Sequence, residues 1–126
     1  MSKDRLPILI VDDDPDSLEM VRFYLEQEGF ECEVASDGAQ ALARVIGRRP
    51  SLIFMDGTMP GIDGWEAARR LKADPATKDL LIVMLTGNSF QEDRNRAAAA
   101  GVDDFLVKPV IPQDLPAVIR RLLMLG

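Results

Sequence analysis

Ile8-Leu9-Ile10-Val11-Asp12-Asp13-Asp14-Pro15 is the stretch whose reading decides the fold. An uninterrupted apolar run passes directly into three carboxylates and a proline. A short apolar run bounded by turn residues reads as a strand buried on both faces. The sign recurs downstream. Leu52-Ile53-Phe54-Met55 stops at Asp56, Leu81-Ile82-Val83-Met84-Leu85 stops at Thr86, and Phe105-Leu106-Val107 stops at Lys108-Pro109. Each run delivers a carboxylate, a hydroxyl or an ammonium at its carboxyl end. In open α/β sheets that edge is where ligands bind.

Amphipathic segments separate these runs. Asp14 is an N-cap residue type with Pro15 in the first helical turn. Leu18, Val21 and Leu25 then recur at helical spacing up to Glu28, and Gly29 is the stop signal. Phe30, Cys32 and Val34 alternate with Glu31 and Glu33, so the strand predicted over 30–34 has one wet face and belongs at a sheet edge. Asp37-Gly38 opens a second helix carrying Leu42, Val45 and Ile46, closed by Gly47 and Pro50. Residues 51–55 form a central strand, and a Gly- and Pro-rich loop runs over 57–64. Trp65, Ala68 and Leu71 mark the third helix, which ends before Asp74-Pro75. A fourth strand is predicted over 80–85 and a fourth helix over 91–100, stopped by Gly101. The last strand spans 105–107. Pro112 precedes a final helix with Leu115, Val118, Ile119 and Leu122 on its apolar face.

This alternation predicts an α/β fold: a doubly wound five-stranded parallel sheet, covered on both faces, in the order 2-1-3-4-5. The wet second strand takes the edge, so the first and third strands are neighbours at the topological switch point. Asp12, Asp13 and Asp56 therefore converge in one crevice.

Composition narrows the function. A length of 126 residues fits a single domain, 1–126, with one core. A net charge of -6 opposes a nucleic-acid-binding surface, which needs a basic stripe. No apolar run approaches the ~18 residues of a membrane span, and no secretory signal follows Met1. The lone Cys32 excludes an internal disulfide and fits a reducing compartment, so the expected location is cytoplasmic. The absence of histidine excludes His-based catalysis and His metal sites.

Clustered carboxylates repel one another unless a proton or a cation neutralises them. Magnesium prefers carboxylates, carbonyls and water, with manganese an alternative. Asp12 and Asp13 would hold it from the first strand, Asp56 from the third, with the Thr58 backbone carbonyl completing the protein ligands. Lys108 brings a mobile point charge. A metal and a lysine around a carboxylate make a site for a dianion. A carboxylate oxygen can attack phosphorus, and transfer then needs mainly positioning and charge neutralisation. The crevice thus reads as a phosphoryl acceptor site with Asp56 as nucleophile and Thr86 donating to a phosphoryl oxygen.

With these motifs in register, the sequence resembles a receiver domain of the two-component response regulators, of the flavodoxin-like, CheY-like type. The resemblance spans about residues 6–123. It rests on Ile10-Val11-Asp12-Asp13, on Asp56 with Met59-Pro60-Gly61 and Asp63-Gly64, on Leu85-Thr86, and on Gly101, Phe105 and Lys108-Pro109. It implies phosphorylation of Asp56 by a histidine kinase or a histidine phosphotransfer protein. It implies magnesium on Asp13 directly, and a cis Lys108-Pro109 bond. Thr86 and Phe105 are the implied switch pair. Their movement repacks the face made by the fourth helix, fifth strand and fifth helix, and so controls binding to a protein target or a fused output domain. It also implies that the domain is no enzyme on a separate substrate, although it assists its own phosphorylation and dephosphorylation.

Some positions depart from the family pattern. Gly57 stands where a bulkier residue is usual, which predicts a looser loop after Asp56. Gly87 replaces the more usual alanine. Thr58 and Asn88 occupy positions that tune dephosphorylation in the family. Structural roles are expected for Asp14 as a helix cap, Asp63-Gly64 as a turn, Trp65 as packing, Cys32 as an inert apolar residue and 94–96 as a solvated helix face. Phe105 serves the core and the switch equally well.

Other functions fit less well. Phe54-Met55-Asp56-Gly57-Thr58 imitates the haloacid dehalogenase motif, but its nucleophile position holds Phe54. In a flavodoxin-like cofactor binder, Asp12-Asp13-Asp14 would repel the phosphate. A scaffold that binds partners without phosphorylation remains the alternative. No output module is visible before Gly126, so the sequence is either a stand-alone receiver or one domain of a longer chain, and the apolar end of the last helix, 122–125, is a candidate for a phosphorylation-dependent homodimer contact or for continuation into a linker.

Overall fold

A computed structural model describes the backbone of residues 6–87 and 90–125, and their side chains except those of Phe90 and Leu125. The elements in chain order are β1 (Ile8–Val11), α1 (Pro15–Gln27), β2 (Cys32–Ala35), α2 (Gly38–Gly47), β3 (Leu52–Asp56), α3 (Gly64–Ala73), β4 (Leu81–Thr86), α4 (Phe90–Ala100), β5 (Asp104–Val107) and α5 (Leu115–Leu125). A 3-10 turn, Pro112–Asp114, leads into α5. The strands form one parallel sheet in the order β2-β1-β3-β4-β5, as the edge-strand argument predicts.

Period-2 alternation divides the central strands between two cores. Leu9, Val11, Ile53, Met55, Ile82 and Met84 face α2 and α3, where Ala41, Val45, Ala67, Ala68 and Leu71 meet them. Ile8, Ile10, Leu52, Phe54, Val83 and Leu85 face α1 and α5, against Val21, Leu25, Leu115 and Ile119. Burying such a side chain contributes about 1.5–3 kcal/mol. These strands read as unbroken apolar runs because both of their faces are covered. Among the described residues, α4 places no side chain in either apolar cluster.

Side chains set the helix starts as the sequence predicts. Asp14, Asp37 and Asp63 are N-caps, accepting hydrogen bonds from the amides of Asp16, Gln40 and Glu66 respectively. Only β1 keeps its predicted bounds, and β2, β3, β4 and β5 each shift by one or two residues at a boundary. β2 begins at Cys32 because the Phe30 amide donates to the Leu25 carbonyl at 3.0 Å, closing the end of α1 through Gly29 at φ +95°. β4 begins at Leu81 because the Leu80 amide donates to Thr77. The exposed edge is held by Arg48, whose guanidinium lies 2.7 Å from Glu31 and 3.5 Å from Glu33. Charged side chains along an edge strand also discourage pairing with another chain.

Lys72 closes the opposite end of the sheet. Its Nζ donates to the Leu80 carbonyl at 2.6 Å and to Asp103 Oδ2 at 2.9 Å, and the same carboxylate oxygen accepts the Ile82 amide at 2.8 Å. One half-buried contact thus ties α3 to the starts of β4 and β5.

Cys32 is half-buried on the inner side of the edge strand, packed against the α1 and α5 core. Burial, with Glu26 as the next cause, pushes its thiol up to about 12. At pH 8 such a thiol carries about a thousandth of the thiolate of an ordinary cysteine. Iodoacetamide labelling of the native protein should therefore be at least about a hundredfold slower than labelling in urea. Equal rates would refute the inert reading of Cys32.

Candidate functional site

Register brings the acidic strand ends together. Val11 pairs with Met55, so Asp12 and Asp56 stand side by side one step further on. Asp12 remains tied to β2 through its amide, which donates to the Ala35 carbonyl at 3.1 Å. Asp14 turns away and spends its carboxylate on α1, accepting the Ser17 hydroxyl at 2.7 Å and the Asp16 amide at 3.3 Å. That leaves Asp12 and Asp13 facing Asp56. Carboxylate oxygens of these three residues lie within 4.8 Å of one another.

Asp56 is 3% exposed and Asp12 7%, whereas Asp13 is open to solvent. Lys108 Nζ donates to Asp56 Oδ1 at 3.0 Å, and the Thr58 amide donates to the same oxygen at 3.2 Å. Among the described residues no donor reaches Asp56 Oδ2. The Lys108-Pro109 peptide bond is cis. The crevice holds about 310 Å³, walled by Asp12, Asp13, Asp56 and Lys108 with Met20 and Leu85 alongside. A larger groove of about 470 Å³, between Glu33 and Arg48, holds no such convergence of like charge.

Burial holds the Asp12 carboxyl above its ordinary value. The Asp14 amide, donating to Asp12 Oδ1 at 2.9 Å, opposes this, and the charge of Asp56 reinforces it. The donor set suits a hard divalent cation. Octahedral magnesium needs ligand oxygens about 2.9–4.2 Å apart, close to the spacing present. Thr58 is solvent-exposed beside Asp56.

The loop after Asp56 is shaped by close approach. A Cβ on Gly64 would stand 2.1 Å from the Asp56 carbonyl oxygen, and a Cβ on Gly57 would stand 2.7 Å from the Trp65 indole nitrogen. Gly57 thus gives the indole room to pack under the loop, a packing reason that the expectation of looseness did not include. Trp65 is half-buried against the α2 and α3 core, as expected of a packing residue. The helix face 94–96 is solvated, yet Arg96 stacks over Trp65 at 5.7 Å from the ring centroid.

Thr86 ends β4, 3% exposed, and does not line the crevice. Its Oγ1 donates instead to Asp93 Oδ1 of α4, at 2.8 Å. Asp93 is the residue that sequence reasoning missed. It is fully buried, on a stripe with Ala97 and Ala100 whose i, i+4, i+7 spacing carried the signal. Phe105 is half-buried against the α2 and α3 core. Asn88 lies outside the described residues.

The sequence pattern of the response regulator receiver domain matches residues 8–120. The chain belongs to that family. This receiver domain is 40% identical over 116 residues to the phosphate regulon transcriptional regulatory protein PhoB of Pseudomonas aeruginosa, covering 92% of the chain and 51% of PhoB. It therefore spans about half the length of that relative. Among solved structures, the chemotaxis protein CheY4 of Vibrio cholerae superimposes with a TM-score of 0.86 at 32% identity, covering 93% of this chain and 98% of CheY4. The receiver domain of the sensor histidine kinase PA1611 from Pseudomonas aeruginosa gives 0.83 at 31% identity, over 93% of this chain and 96% of that one. That neighbour was solved with a magnesium ion coordinated in its active-site cleft. No described helix of this receiver domain is long and apolar enough to cross a membrane.

The raised Asp12 value has a sign that can be tested. A carboxyl that holds its proton more tightly folded than unfolded lowers stability as pH rises through its folded value. The lost stability returns as pH falls toward the unfolded value of 3.8. Asp12→Asn keeps an oxygen for the Asp14 amide and removes the buried charge. In chelator-containing buffer it should melt above the wild type at pH 7, and the gap should close toward pH 4, as read by calorimetry. A variant less stable at both pH values would refute this account.

Proposed function

We propose that residues 1–126 act as a single phosphoryl-accepting receiver domain. Asp56 takes a phosphoryl group from a histidine kinase or a histidine phosphotransfer protein, in a reaction that requires magnesium or manganese. The observation that carries the reading is the asymmetry of Asp56: Lys108 and the Thr58 amide both hold Oδ1, and no described donor occupies Oδ2.

Asp56 Oδ2 attacks phosphorus in line. An oxygen–phosphorus bond forms, the phosphorus–nitrogen bond of phosphohistidine breaks, and its electron pair leaves on the imidazole. Asp12, Asp13, Asp56 and the Thr58 carbonyl are the proposed metal ligands, and a bound cation would offset the charge of three carboxylates and an incoming dianion. Lys108, anchored on Asp56 and otherwise solvated, follows the developing charge onto a phosphoryl oxygen. Positioning and charge neutralisation supply most of the catalysis in such a transfer. The domain assists its own phosphorylation and dephosphorylation and acts on no separate substrate.

Thr86 and Phe105 are the proposed switch pair, and the surface of α4, β5 and α5 is the proposed output. A downstream protein or a fused output domain reads that surface, with a phosphorylation-dependent homodimer as a further mode. Val107 and Ile111, exposed by 43% and 56%, give the region apolar contact area. The domain itself is proposed to bind neither nucleic acid nor membrane and to work in the cytoplasm, where such kinases deliver phosphoryl groups.

Intact-protein mass after incubation with acetyl phosphate tests the reading. One added phosphoryl group is expected with magnesium, none with excess chelator, and none in Asp56→Asn. Lys108→Met should slow uptake by about tenfold or more, the scale of losing one charge-assisted contact. Failure to accept phosphate from acetyl phosphate and from a purified cognate kinase, with magnesium bound, would refute it and leave the scaffold reading.

A further inference from the structure

We infer that Asp93 is a positioning residue that restrains the Thr86 hydroxyl in the unmodified protein and so sets how readily Asp56 accepts its ligand. The inference rests on the phosphoacceptor reading above. Thr86 Oγ1 has one proton, and in this structure the proton goes to Asp93 Oδ1 at 2.8 Å. Both side chains are buried, at 3% and 0% exposure, so water does not compete for the bond. Asp93 Oδ2 has no hydrogen-bond partner among the described residues. Asp93 therefore depends on Thr86 as its one side-chain donor among those described.

That dependence creates a conflict. A phosphoryl oxygen on Asp56 needs the same hydroxyl proton. Once Thr86 turns to it, Asp93 is left buried with neither oxygen satisfied, which is costly. The cost falls on α4, the helix that contributes no described side chain to either apolar cluster. Its inward stripe is Asp93, Ala97 and Ala100, so a polar contact stands where other helices have leucine or valine. Phosphorylation thus withdraws the hydroxyl that anchors α4, and Asp93 regains a partner only if α4 moves toward water.

The test is a double-mutant cycle read by titration calorimetry, with beryllofluoride at saturating magnesium as the phosphoryl mimic. Asp93→Ala should bind beryllofluoride about five- to twentyfold tighter than wild type, the scale of one buried hydrogen bond removed from the unbound state. Asp93→Asn keeps an acceptor oxygen for Thr86 and should stay within about threefold of wild type. In a Thr86→Val background, Asp93→Ala should change the affinity little, because no hydroxyl is left to restrain. Asp93→Leu, which removes the acceptor and keeps the volume, repeats the comparison should the alanine variant fail to fold. Weaker binding by Asp93→Ala, or an equal change in both backgrounds, would reduce Asp93 to ordinary packing and overturn the inference alone. Absence of any beryllofluoride binding by the wild-type protein would instead overturn the phosphoacceptor reading, and the role of Asp93 with it.

Discussion

Asp12, Asp13 and Asp56 carry like charge with oxygens within 4.8 Å of one another, on strands that cannot draw apart. A pair of charges at that separation repels by about 3–4 kcal/mol at an effective dielectric near 20. The strands stay together because β1 and β3 lie in the middle of a parallel ladder whose side chains are buried on both faces. Hydrophobic burial therefore imposes the electrostatic tension. Lys108 relieves part of it at one oxygen of Asp56, and burial of Asp12 adds to what remains. A site held in this state attracts positive charge, which fits the proposed metal-assisted phosphoryl acceptor.

The surroundings of Asp56 follow from the same crowding. α3 starts so close to Asp56 that its first residue leaves no room for a Cβ beside the Asp56 carbonyl. Trp65 then packs under Gly57, and Arg96 of α4 lies over the indole. Backbone position at Asp56 is thus set by packing from below. The side chains above it, Lys108 and Asp13, stay in contact with water. A packed floor with solvent-exposed charges above it suits the proposed role, in which Asp56 is held in place while a bulky donor is admitted.

The helices are unequally fixed. α1, α2, α3 and α5 each place side chains in the apolar clusters against the sheet, whereas among the described residues α4 adds none to them and reaches Thr86 through a carboxylate. Elements with few buried apolar contacts lie at the low-stability end of a fold and are the ones that move. In the proposed switch, this helix lies beside the hydroxyl at the end of β4, where a change at Asp56 would be felt first.

Much of this was legible in the one-dimensional pattern. Unbroken apolar runs at Ile8, Leu52 and Leu81 against the alternation of Phe30 to Val34 separate the central strands from the wet edge at β2, whereas the apolar run 105–107, read as covered on both faces, is the other edge, half-buried and with Val107 exposed. Order in turn fixes which strand ends are neighbours, and so brings Asp12 and Asp13 to Asp56. Boundaries were less legible: the amide of Phe30 is taken by a carbonyl of α1, a competition that hydropathy does not record. The direction of the Thr86 hydroxyl was not legible at all. Its partner lies seven residues on, in a helix with little amphipathic contrast, and only packing decides that Asp93 points inward. Periodicity is a property of the chain and determines layers, strand order and the convergence of charge. Which of two acceptors a single proton chooses depends on distances between side chains, and only the tertiary structure sets those.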